Sequence, residues 1–196
     1  MKPDEAKAEL QKIDVLIDRN ARLPGMVFHQ RPHSFRIIEF DELWSSDFFR
    51  RAREMTKANG DECFTLAVLQ PDPERYFYNQ FCEYPFFRFA LDDVEQHYVD
   101  AINEDPGNSP ADAVAHNADV VFVYPERVGW AIYGDRDLEV AVVATMNERA
   151  LEVLTSIYPR ERLHSAASAI ARLLVPLYGG AIPEDMQQRF IANYSS

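Results

Sequence analysis

Apolar residues recur along this chain at two spacings, and the switch between them divides it into elements. Over "PDEAKAELQKIDVLIDRN" Leu10, Ile13, Leu16 and Ile17 return at helical spacing behind Asp4 and Glu5, which favour the amino end of a helix. "LPG" at 23–25 ends it. The spacing becomes two in "SFRIIEF", a strand with Phe35, Ile37 and Glu39 on one face and Arg36, Ile38 and Phe40 on the other. Residues 41–61 return to helical spacing, with Trp44, Phe48, Ala52 and Met55 as the stripe. Asp41 or a serine serves as cap, and Gly60 sits where a left-handed stop belongs. "ECFTLAVLQP" reads as a buried strand of about six residues, stopped by Pro71 and Pro73.

Residues 76–89, "YFYNQFCEYPFFRF", hold eight aromatics in fourteen positions, and their end, "FFRFAL", has strand character. A helix follows over "DDVEQHYVDAINED", with Val94, His97, Tyr98, Ala101 and Ile102 turned inward. "PGNSPADAVAHNAD" is a loop with room for a helical turn or two. "DVVFVYP", "WAIYG" and "LEVAVVAT" then predict a three-strand antiparallel meander, linked by "ERVG" and "DRD". The last third, 146–196, is helical: "ERALEVLTSIY", "HSAASAIARLLVPLYGG" and "PEDMQQRFIANY". Together these elements define a single α+β domain over 1–196, with a mostly antiparallel sheet of five to six strands. Residues 1–22 form a peripheral helix, and helices stand at both ends.

The link between the second and third meander strands carries Asp135, Arg136 and Asp137. As a hairpin turn it explains itself: Asp hydrogen-bonds nearby backbone, and Gly134 supplies the dihedral freedom a link needs. Leu138, Val140, Val142 and Ala144 then face one side of the sheet. Glu139 is the only charge on the other, so both sides are covered. As a site, the two aspartates would flank an Arg136 whose planar fork binds a carboxylate or phosphate.

Composition narrows the classes. The 196 residues carry 20 Lys and Arg against 32 Asp and Glu, a net charge of −12. Such a surface repels nucleic-acid phosphates and anionic membranes and attracts a basic protein. The start, "MKPDEAKAEL", has neither the basic segment nor the apolar run of a signal peptide, and Cys63 and Cys82 are too few for a disulfide framework. Both features point to a cytoplasmic protein with reduced thiols.

Other candidate chemistry is thin. His29 and His33 in "HQRPH" stand four apart, but Pro32 argues against a helix that would aim both at a metal. Cys63 enters an apolar strand, and Cys82, among aromatics, is the better nucleophile candidate. Arg50, Arg53 and Lys57 share a helix face that could attract anions. No nucleotide-cofactor or serine-hydrolase motif occurs, so no cofactor and no metal is expected.

Tyr76, Tyr78 and Tyr84 carry hydroxyls that need water or a partner, as interface tyrosines do. They join Asp135, Arg136 and Asp137 as expected partner-binding residues. The reading that follows is a non-enzymatic binding protein for a basic partner, most concretely a bacterial immunity or inhibitor protein against a basic toxin. The alternatives are a small enzyme built on the 133–139 hairpin and a self-associating module that dimerises through 164–180, whose small residues let helices approach closely.

Overall fold

The computed structural model describes residues 1–195. Six strands, all pairing antiparallel, form one sheet: β1 (Ser34–Glu39), β2 (Cys63–Gln70), β3 (Phe86–Ala90), β4 (Val120–Pro125), β5 (Trp130–Asp135) and β6 (Val140–Thr145). Their spatial order is β1-β6-β5-β4-β2-β3. The expected α+β domain is therefore present, with the meander β4-β5-β6 at its centre.

The helices are α1 (Pro3–Leu16), α2 (Ser46–Asn59), α3 (Glu95–Asn103), α4 (Glu148–Ile157), α5 (166–177, with a widened turn at Ile170–Leu174) and α6 (Glu184–Tyr194). They cover both faces of the sheet. Phe35, Ile37, Phe122, Tyr133, Val142 and their neighbours pack beneath α1, α5 and α6. Ile38, Leu66, Val123, Ile132 and Val143 pack beneath α2, α3 and α4. Antiparallel sheets commonly leave one face wet. Here every residue of β4, β5 and β6 is buried, because alternate side chains enter two different cores.

The expected faces of β1 and β6 hold. Leu138, Val140, Val142 and Ala144 enter the α1-side core, while Ala141 and Val143 enter the other. Local signals set the ends of α2: Ser45 Oγ accepts from the Phe48 N–H, and Gly60 takes the left-handed conformation at φ 81°. Trp44 lies in the 3-10 turn before α2 rather than on its stripe, and Phe49 takes the extra inward position.

Three further expectations are corrected. The first helix stops at Leu16, because Ile17 leaves it to bridge Phe28. On α3 only Tyr98 and Ile102 are buried. Val94 is 65% exposed, and His97 is exposed beside Asp93 at 3.0 Å, since the helix lies on the rim of its core. Gly134 sits inside β5 without a positive φ, and the left-handed residue of the hairpin is Glu139, at φ 51°. Among the described residues, no helix is long and apolar enough to cross a membrane.

Candidate functional site

The hairpin between β5 and β6 closes in a single 3-10 turn, Arg136–Leu138. Asp135 initiates it: its carboxylate accepts the Asp137 N–H at 3.1 Å. That carboxylate is 2% exposed and also accepts a bidentate pair from Arg22, Nε to Oδ2 at 2.9 Å and Nη2 to Oδ1 at 2.8 Å. The same guanidinium donates to Gln70 Oε1 at 2.6 Å and meets the exposed Asp137 at 3.0 Å. A bulge at 68–70 in β2 shifts the register and sets Gln70 opposite Val120, within reach. The hydrogen bond to Asp135 raises the Arg22 pKa further above the arginine range, so the knot holds a permanent cation.

Arg136 turns the other way. Its Nε donates to Ala118 O at 2.6 Å and its Nη2 to Ala115 O at 2.8 Å, while the guanidinium lies 4.9 Å from the Phe40 ring centroid. These carbonyls belong to the helical turn Val114–Asn117 and the residue following it, where a cation is favoured by the local dipole. Arg136 thus anchors the turn to the sheet.

Tyr76 anchors the same turn, its hydroxyl accepting from Asn117 Nδ2 at 3.1 Å. Asp72 starts the tyrosine segment by accepting the N–H groups of Glu74 and Arg75 at 3.0 and 2.7 Å. The helical segment running through Pro73–Tyr78 and Asn79–Phe81 ends at Cys82, which is left-handed at φ 59°. That reversal lets Tyr84 stack on Tyr78, with centroids 4.7 Å apart and planes 23° apart, and then on Phe86. The result is a half-exposed aromatic ladder.

Two concavities adjoin this segment. Phe77, Phe81, Tyr84 and Phe87 line a small apolar groove with Glu83 and Glu104 beside them. Asp72 instead lines a wider cleft of 480 Å³ with Asp14, Asp18, Asp119, Gln70 and His29. Arg19 is the one arginine in its wall, and its pairing with Asp14 at 2.5 Å raises its pKa. Four carboxylates against one cation give the cleft a negative field, which low-dielectric walls concentrate.

The six expected residues thus gather around one end of the sheet, linked through Gln70, Asn117 and the 114–117 turn. Tyr78, Tyr84 and Asp137 present surface. Asp135, Arg136 and Tyr76 organise it from beneath. Arg22, Gln70, Asn117 and the four cleft aspartates escaped sequence reasoning: Arg22 lies 113 residues from Asp135, and no local pattern marks the pairing.

The remaining candidates are scattered. His29 lines the cleft, and His33 is exposed elsewhere. Cys63 is buried, with Arg88 Nε 3.0 Å from its sulfur, and Cys82 is exposed. On α2, Arg50 pairs with Asp47 and Glu95, and Arg53 lies over Phe49, which offsets the basic stripe. Among the described residues, no three His, Cys, Asp or Glu side chains converge as metal ligands. Comparison with family models, curated proteins and solved structures returned no match.

Proposed function

We propose that this chain is a non-enzymatic protein-binding protein that captures a basic partner on the face formed by the acidic cleft, the Tyr78–Tyr84 ladder and Asp137. The observation that carries this reading is the cleft of 480 Å³ lined by Asp14, Asp18, Asp72 and Asp119, in a molecule whose net charge is −12. Acidic walls draw in lysine and arginine side chains, and half-exposed stacked tyrosines add contact area at little entropic cost. The commitment of Arg136 to two backbone carbonyls favours binding over chemistry at the hairpin, because its fork is already occupied. An inhibitor that neutralises a basic toxin in the cytoplasm, where Cys63 and Cys82 stay reduced, is the most concrete form of the proposal.

Native mass spectrometry of the chain purified gently from its host is the direct test, with a basic protein in fixed ratio as the expected result. Association measured across salt should slow by about tenfold or more between low and high ionic strength. Reversing two charges, Asp14→Lys with Asp119→Lys, should slow it similarly at low salt. Salt-independent association, or a partner indifferent to both reversals, overturns the proposal.

A further inference from the structure

An edge strand is where a sheet can add another chain, and the two edges of this sheet differ. At β1 the outward N–H and C=O of Ile37 are both taken by His164, at 2.9 and 2.8 Å. At β3, among the described residues, no strand or bridge pairs with the outer side. Leu91 N–H donates to Glu62 O and Val68 N–H to Pro85 O, at 2.9 and 3.0 Å. By alternation Phe87 and Phe89 bond to β2, while Phe86, Arg88 and Ala90 face outward. Tyr84 O accepts the Phe86 N–H at 2.9 Å, and Asp93 engages both backbone groups of Ala90. The Phe86 carbonyl and both backbone groups of Arg88 are left without a protein partner among the described residues.

The small apolar groove described above borders the same strand, since Phe87 lines it with Phe77, Phe81 and Tyr84. Its volume of 40 Å³ holds about three water-sized units, far below the roughly 300–1,000 Å³ of a ligand pocket. One aliphatic side chain fits there, and a free cofactor does not. Residues opposite one another in an antiparallel pair share a face, so the residue across from Phe87 is the one delivered to the groove. Glu83 and Glu104 also line it, are exposed, and form no ion pair among the described residues. They call for a cation next to the apolar residue. A second copy of this chain is disfavoured as the occupant, because antiparallel pairing of two β3 edges about Arg88 sets like charges face to face.

We propose that β3 takes up an extended segment of a basic protein partner as an added antiparallel strand. A valine-sized side chain enters the groove, and a lysine or arginine two positions further on lies beside Glu83 and Glu104. Main-chain bonds to Phe86 and Arg88 hold the segment, and the groove selects its side chain. The inference rests on the reading of this chain as a protein-binding protein, and adds the conformation its partner has at the contact.

The probe is the blocked peptide acetyl-Lys-Thr-Val-Thr-Lys-amide, titrated to millimolar concentration into the whole chain and followed by amide NMR. Arg88→Pro removes the outward N–H, a loss that an edge strand tolerates, whereas Arg88→Ala removes the side chain alone. The expected result is a saturable downfield shift of the Arg88 amide signal, which is identified by its absence from Arg88→Pro. Binding should stay within about twofold in Arg88→Ala and weaken about fivefold or more in Arg88→Pro. Glu83→Lys with Glu104→Lys, both outside the strand, should weaken it by a similar factor. An Arg88 amide unmoved by the peptide, or undiminished binding to the double lysine variant, overturns the assignment. A dimer of this chain that dissolves in Arg88→Pro overturns the choice of occupant. A basic partner held equally by the wild type and Arg88→Pro overturns the edge contact and leaves the acidic face standing. Peptide bound at the edge with no partner on the acidic face supports the edge and overturns the other reading.

Discussion

Gly134 owes its place to contact rather than to dihedral freedom. A Cβ there would lie 2.8 Å from Leu43 Cδ1 and Val121 Cγ2 and 2.9 Å from Phe40 Cε2, so three core side chains would have to shift. Gly134→Ala should therefore lower the unfolding free energy by about 1–3 kcal/mol in urea titration. Glu139→Gly should cost nothing or gain up to about 1 kcal/mol, because φ 51° strains any side chain. The reverse order would return Gly134 to the role of turn residue. Arg22 and Asp137 make a second contrast. Removing Arg22 strands a carboxylate that is 2% exposed, so Arg22→Ala should cost about 3 kcal/mol, whereas Asp137→Ala, at a position 77% exposed, should cost less than about 1. Equal losses would contradict the division of labour described for this knot. Asp135 was legible as a turn former because its action is local. Its stronger partner was not, since pairing across 113 residues leaves no trace in spacing.

At the scale of elements, periodicity identified β1, α2, β2 and the meander because each buries a regular set of positions. On α3 it located the helix and the inward Tyr98 and Ile102, but the rim of the core leaves Val94 and His97 outside. The sheet edge at β1 shows a feature without any periodicity. Ile37 and His164 exchange both backbone hydrogen bonds, at 2.9 and 2.8 Å, so a single residue ahead of α5 caps part of the open edge. Burial, followed by the charge of Arg172, lowers the His164 pKa from its ordinary 6.5, so the folded state prefers the neutral ring. Its contribution is complete above 6.5 and fades as pH falls through the interval down to the lowered value. His164→Gln should flatten stability against pH across that interval, and an unchanged slope would refute this origin.

For the molecule as a whole, composition made the excess of acid visible but not its location. The cleft draws Asp14 from α1, Asp18 from just after it, Asp72 from just beyond β2 and Asp119 from before β4, and only the fold brings them together. With a net charge of −12, self-repulsion opposes the compact state, and salt relieves it by shortening the Debye length from about 30 Å to about 8 Å. The melting temperature should rise by several degrees as sodium chloride is brought to physiological strength. A flat or falling response would mean that local pairs such as Glu42 with Arg51 and Arg162 outweigh the net field.

The double covering of the sheet also has a history in time. All six strands precede residue 146, yet α5 and α6, which close the α1-side core through Ala169, Leu174, Phe190 and Tyr194, follow it. On the ribosome the roughly fifty residues after β6 take on the order of 3–10 seconds to make. A sheet that assembled before those residues arrived would have Phe35, Val142 and Ala144 only partly roofed by α1. The chain order thus makes the α1-side core the last to close, and its apolar face the one most in need of shielding until α5 and α6 dock.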